Sequence, residues 1–350
     1  MTTRRPLRIA EVARLAGVST ATVSRALTAP EKLRADTLAR VTEAVRRTGY
    51  TPNSAARTLR ARRTMLVLVV VPDIANPFFS DVLRGIDDGL SQHGYGFLIG
   101  NLGNSRSKEP QLANIALSGQ VDGVLLLNGR IPQGGRHSLS AGDIPMVAVC
   151  EAIPGAPIPQ VEVENRAAAR RAVAHLAALG HRHIAYLAGP ADNILEHERR
   201  TGFCEGLADA AIPRHDARFY PGDFTFDAGV VAAAEFLSLR QRPTAAFAAN
   251  DEMAIGFVKR IRSDGLAVPD DISVVGFDGI EFADFVEPTL TTFRQPRREL
   301  GYYGASLLVQ AMRGEAIDPA RSHLRLPVPL LERGSTAPAR CSDSAPCVPL

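Results

Sequence analysis

Two sets of residues have types and spacing that could do chemistry. One lies in GVSTATVSRAL, where Arg25 could give paired hydrogen bonds to guanine, worth about 1–3 kcal/mol of discrimination. Thr20 and Ala21 would share the base edges with it. Ser19, Thr22 and Ser24 suit phosphate contacts, which position a protein on a duplex without specifying sequence. The other set is scattered: Asn76, Pro77, Phe78 and Phe79 after one apolar run, Arg199 near a helix start, Phe224 in GDFTF, and Asp278 after ISVVGF. An aromatic face with an Arg and an Asp suits a ribose- or sugar-like ligand bearing hydroxyls. Each has a plainer reading: Phe78 as core, Asp278 as a turn cap, and Asp251 as an N-cap rather than a ligand contact.

The elements needed to present the first set are legible. Ile9, Val12, Ala13 and Ala16 fall on one face of a first helix, and Gly17 supplies a sharp turn. Ser19 caps a second helix whose inner face is Val23, Ala26 and Leu27. Ala13 must be small where the helices cross, and Val23 plugs their angle, the spacing of a helix-turn-helix. A third helix runs over 35–48, with Leu38, Val41 and Val45 inward and Arg40, Arg46 and Arg47 outward. In such a unit the first turns of the second helix enter the major groove. The alternative is a three-helix bundle that touches no nucleic acid. Residues 1–63 carry 14 Lys or Arg against 4 Asp or Glu, while the remainder carries 26 against 33, so a polyanion partner is expected for the head alone.

Pro52 and Asn53 then open a short segment, 54–62, too short to be a stable helix alone and expected to fold only against DNA and a second copy. Leu59 stands among Arg57, Arg60, Arg62 and Arg63, and suits a wedge opening a minor-groove step; otherwise it is a linker leucine.

From Met65 onward short β-branched runs (65–71, 96–100, 123–127, 145–149, 183–188, 244–249, 272–277) alternate with amphipathic helices (78–93, 107–118, 166–179, 197–210, 227–238, 251–264, 297–312). This predicts an α/β core of parallel sheets flanked by helices, long enough for two lobes. Ligands of open α/β sheets bind beyond the carboxyl ends of the strands, so a cleft between the lobes is the expected site. The domain boundaries read as 1–51 for the head, 52–64 for the hinge, 65–335 for the core, and 336–350 for a Pro-, Ser- and Ala-rich disordered tail.

Other classes fit poorly. The longest apolar run, Met65 to Val71, is too short for a membrane, and the N-terminus lacks the apolar stretch of a secretion signal, so a cytoplasmic protein is expected. Cys150, Cys204, Cys341 and Cys347 are scattered, which argues against a disulfide framework or zinc site. His181 and His183 look like helix-end cations and not a metal pair. No phosphate-loop, dinucleotide, nucleophile-elbow or zinc-protease motif is present, so no enzyme, cofactor or metal is expected. A solute-binding protein would explain the core but leave residues 1–63 without a role.

Residues 8–335 resemble the LacI/GalR family of bacterial repressors. The resemblance runs in order through IAEVARLAGVSTATVSRAL, TPNSAARTLR, PFFSDVLRGI, VDGVLLL, LGHRHIAYLAGP, ERRTGF, NDEMAIGF, VPDDISVVGFDG and PTLTTFRQP. VPDIANPFFSDVLRGI, QHGYGFLIG and GDFTFDAG are most similar to its cytidine-repressor branch. The resemblance implies a periplasmic-binding-protein-like core and a homodimer on a near-palindromic operator. It implies hinge helices in the minor groove, with Leu59 intercalating and Ala56 beside it. It implies an effector pocket lined by Phe78, Arg199, Phe224, Asn250, Asp278 and Gln295; Phe79, Asn128 and Glu151 complete the candidate set. Asn128, Cys150 and GPADNILEHERR depart from the branch pattern around that pocket. A nucleoside such as cytidine is therefore the expected effector and a sugar the alternative, with release of DNA favoured on binding.

Overall fold

The computed structural model describes residues 9–50, 63–134, 139–140 and 142–340. The expectations for Asn53, Ala56 and Leu59, and for Cys341 and Cys347, fall outside these residues. The chain divides into two compact units at Thr64/Met65.

In the first unit α1 (Ile9–Ala16), α2 (Thr20–Thr28) and α3 (Ala35–Thr48) enclose Val12, Ala13, Ala16, Val23, Val41 and Ala44. The turn between α1 and α2 is made at Gly17, whose φ of +65° would strain any other residue, and the Val18 N–H donates to the Ala13 carbonyl at 3.0 Å. Ser19 caps α2, its hydroxyl accepting the Thr22 N–H at 3.1 Å.

The second unit holds two six-stranded sheets. In the first, β1 (Leu66–Val71), β2 (Gly96–Asn101), β3 (Gly123–Leu126), β4 (Met146–Cys150), β5 (Gln160–Val163) and β11 (His323–Leu326) are all parallel, in the order β11-β5-β4-β3-β1-β2. In the second, β6 (Ile184–Leu187), β7 (Arg218–Tyr220), β8 (Ala245–Ala248), β9 (Ser273–Asp278) and β10 (Thr291–Arg294) are parallel, and β12 (Leu330–Leu331) is antiparallel to β10. The order is β12-β10-β9-β8-β6-β7. Strands buried on both faces read as continuous apolar runs, which is why LVLVVV and AAFA were visible as strands. In β1, Val67, Val69 and Val71 face one core while Leu68 and Val70 face another.

Helices α4 (Phe78–Ser91), α5 (Glu109–Leu117) and α11 (Arg297–Met312) serve the first lobe. Helices α6 (Asn165–Ala178), α7 (Ile194–Asp209), α8 (Phe226–Ser238), α9 (Asp251–Ser263) and the short α10 (Phe282–Phe285) serve the second. α4 and α11 cross at glycines: a Cβ at Gly85 would lie 1.9 Å from the Arg298 carbonyl oxygen, and one at Gly301 2.0 Å from that of Val82. The chain passes between lobes three times, at Glu164, at Gln295–Pro296, and at 327–329.

The seven expected strands and seven expected helices are all present, with ends within three residues of those read from the sequence. Strands β5, β10, β11 and β12 do not stand out in the sequence, and β7 does so only as a strand preceding Phe224. QVEV, TTFR and HLRL carry too much polarity to stand out, and they become strands by pairing with neighbours already in place.

Two expectations need correction. The tail does not loosen at 336: Ala337 N–H donates to Ser273 Oγ at 3.0 Å, Ala339 N–H to the Leu179 carbonyl at 2.8 Å, and Arg340 pairs with Asp271 at 3.1 Å. His181 is not a helix-end cation. It is 2% exposed, with Nδ1 2.9 Å from Thr244 Oγ1 and Nε2 3.0 Å from the Ala337 carbonyl, and burial lowers its pKa toward the neutral ring. It anchors the very segment that composition suggested was loose.

Candidate functional site

On α2, Ser19, Thr20, Ala21 and Arg25 are exposed while Val23 is fully buried between them. Thr22 and Ser24 are half-buried, and the Thr22 hydroxyl sits 2.9 Å from that of Ser19. The helix thus pins its inner face by an apolar plug and turns its polar residues outward from one end. That is an arrangement for inserting side chains into a groove.

In the core, strand order reverses at β1 in one sheet and at β6 in the other, placing a crevice beyond their carboxyl ends. Arg199 on α7, 2% exposed, is the centre of the polar groups there. Its Nε donates to Asn165 Oδ1 at 2.9 Å and its Nη1 to the Ala249 carbonyl at 2.5 Å; Nη2 lies 3.6 Å from Asp278 Oδ1. Its guanidinium also stacks over Phe277, 3.8 Å from the ring centroid. Gln295 Nε2 donates to Asp278 Oδ1 at 2.7 Å. Asn165 and Gln295 stand at two of the three passages between lobes, so one network of side chains joins those passages to the ends of β8 and β9.

Phe224 stands in the loop after β7 at φ +68°, a conformation costly for a bulky residue. Asn250 Nδ2 donates to its carbonyl at 2.9 Å, while Asn250 Oδ1 caps α9 by accepting the Met253 N–H at 3.0 Å. The ring lies over Gly189, where a Cβ would come within 2.3 Å of it. Cys150 at φ +70° and Asp278 at φ +118° are also in the left-handed region, at the carboxyl ends of β4 and β9. Such residues cost on the order of 1–3 kcal/mol each and persist only where the surrounding structure holds them.

The first lobe contributes Asn128, after β3, and Glu151, after β4. Glu151 is 6% exposed and accepts from Asn193 Nδ2 of the second lobe at 3.2 Å. Asn128 is 5% exposed and neither of its polar side-chain atoms has a hydrogen-bond partner, nor does Glu252 Oε1 on α9. A buried amide without partners is costly. Phe78 and Phe79 open α4 next to the end of β1, packed edge to face with centroids 5.2 Å apart, and both are buried.

The cap of α9 is Asn250 and not Asp251, which is wholly buried. Its Oδ2 accepts the Ile280 N–H at 2.9 Å, and its Oδ1 accepts the Thr292 hydroxyl at 2.5 Å. Burial raises the carboxyl pKa of Asp251, and the charge of Asp278 raises it further. Sequence reading passed over Asn165, Asn193 and Glu252. No local spacing ties the first two to the crevice; for Glu252 the nearby Asn250 was the available sign. Among the described residues no group of His, Cys, Asp and Glu could hold a metal ion.

Burial pushes Glu151 up to about 7, against the opposing pull of Asn193, Arg199 and Arg130. A carboxyl raised in the folded state contributes stability below its unfolded value, lost as pH rises through about 7. Glu151→Gln should therefore differ little from the parent at pH 5 and be the more stable at pH 8, by up to roughly 3 kcal/mol. Thermal melts of the two proteins at both pH values check this; a gain that does not grow with pH would refute it.

Residues 8–53 match the model for bacterial regulatory proteins of the lacI family, and residues 173–336 that for a periplasmic binding protein-like domain. The chain is 40% identical to the HTH-type transcriptional repressor CytR of Escherichia coli (strain K12) over 93% of its length and 95% of that protein's. A solved complex of the transcriptional regulator CelR with cellobiose is 32% identical, covering 94% of this chain and 99% of that one at a TM-score of 0.67. The lac repressor dimer bound to operator and an anti-inducer is 28% identical, covering 95% and 100% at a TM-score of 0.80.

Proposed function

Because this chain belongs to the LacI family of bacterial regulatory proteins, we propose that it is a cytoplasmic homodimeric repressor whose grip on a near-palindromic operator is set by a nucleoside such as cytidine. In this reading Thr20, Ala21 and Arg25 meet base edges, Ser19, Thr22 and Ser24 meet phosphates, and Asn53, Ala56 and Leu59 belong to a hinge in the minor groove. The effector lies between the lobes, within reach of Phe78, Phe79, Asn128, Glu151, Arg199, Phe224, Asn250, Asp278 and Gln295. Phe224 offers a stacking face, Arg199 and Asp278 hydrogen-bond hydroxyls, and Asn128 finds its missing partners.

The observation that carries the reading is the Arg199–Asp278 pair, held by Asn165 and Gln295 at the passages between lobes. A ligand bonded there is sensed by the segments that must twist when one lobe moves on the other. It shifts the equilibrium between two lobe settings only by its differential affinity for them. Support for a nucleoside comes from the 40% identity to CytR, and release of DNA is the favoured direction. The cellobiose complex of CelR supports a second reading, a sugar in the same cleft.

The test is fluorescence anisotropy of an operator selected from random palindromic DNA, titrated with cytidine, uridine, adenosine, ribose and cellobiose. Cytidine is expected to weaken binding. Release by a sugar alone would replace the nucleoside, and failure to select any DNA sequence would overturn the repressor.

A further inference from the structure

Glu252 follows Asn250 and Asp251 at the start of α9, at the crevice end of β8. It is 8% exposed, and its Oε1 has no hydrogen-bond partner. The charges that act on it come from both lobes and are all negative: Asp278 at the end of β9, Asp73 in the loop after β1, and Asp223 beside Phe224. Glu252 therefore sits where the second lobe faces the first, with an oxygen unspent. Arg199 and Arg297 at the crevice are engaged, whereas the buried Nε of Arg130 has no hydrogen-bond partner. Arg199 is bonded to Asn165 and the Ala249 carbonyl and lies against Asp278, Arg130 lies 3.9 Å from Glu109, and Arg297 pairs with Asp81 at 2.8 Å.

We propose that Glu252 is a further ligand-reading residue of the cleft, which makes it select an uncharged or cationic ligand that offers a hydrogen-bond donor and reject the phosphate ester of that ligand. This rests on the effector reading above and narrows it. An uncharged nucleoside or sugar gives Oε1 a hydroxyl or amine proton. A phosphate dianion brought to the same place meets the buried carboxyl groups of Glu252 and Asp278, where like charges repel more than in water, with the more accessible Asp73 and Asp223 beside them. Burial first, then those neighbours, pushes Glu252 up to about 7, so the group already resists its own charge before any ligand arrives.

The experiment is titration calorimetry of the full-length protein with cytidine and cytidine 5′-monophosphate, and with ribose and ribose 5-phosphate, for the parent and Glu252→Gln. Operator binding without ligand reports that the variant is folded. The expected result is that one unphosphorylated probe binds at least tenfold more tightly than its phosphate. In Glu252→Gln that probe should weaken several-fold and the preference over its phosphate should shrink. A phosphate ester that binds the parent as well as its parent compound overturns the inference and leaves the effector reading standing. A preference unchanged in the folded variant overturns the role of Glu252. Binding of none of the four overturns the effector reading and the inference with it.

Discussion

Arg199→Leu should cost the core about 3–5 kcal/mol, because it strands Asp278 and the Asn165 amide in a site closed to water. For a unit of this size the melting temperature should fall by roughly 10 °C. Arg199→Lys should not restore it, since a point charge with no planar fork cannot serve Asn165, the Ala249 carbonyl and the face of Phe277 at once. Adding Asp278→Asn to Arg199→Leu should recover part of the loss by removing the orphaned charge. Calorimetric melts of the two single variants and the double close the cycle. Strictly additive losses would mean that the two side chains do not interact, and the network between the passages would lose its centre.

Arg25→Ala should weaken binding to the selected operator about 10–100-fold per half-site. Binding to unrelated DNA should change little, since one phosphate contact is a small part of the electrostatic total. The fold should survive, because Arg25 is exposed and the plug of the unit is Val23. Anisotropy on operator and scrambled duplex over a range of salt distinguishes the outcomes. Equal losses on both duplexes, with the salt slope reduced by about one, would assign Arg25 to a phosphate and move base reading to Thr20 and Ala21.

Both predictions stand on residues singled out in the sequence, and the reasons differ. Arg25 belongs to a helix whose apolar face, cap and turn are all within about ten residues, so periodicity and Gly17 located it. Arg199 could be named only as a polar residue near a helix start, or through family resemblance. Its partners Asn165, Ala249 and Asp278 lie 34 to 79 positions away, and no short-range pattern joins them.

What the sequence by itself determined was whatever local physics decides. The head follows from helical periodicity, the Ser19 cap and a glycine at φ +65°. The alternation of strands and helices follows from apolar runs that needed no partner to be recognised. What only the tertiary structure decided was whatever depends on pairing and burial. Polar strands such as QVEV and TTFR exist because neighbours complete their ladders. Burial lowers the pKa of His181 although the Ala337 carbonyl beside Nε2 pulls it the other way, and residues 336–340, loose by composition, are held by that same contact and by Ser273. Asn128 and Glu252 are buried with polar atoms that have no partner, a fact no window of sequence contains. Burial is a property of the whole chain at once, and the energy of a polar group depends on it more than on its neighbours in sequence.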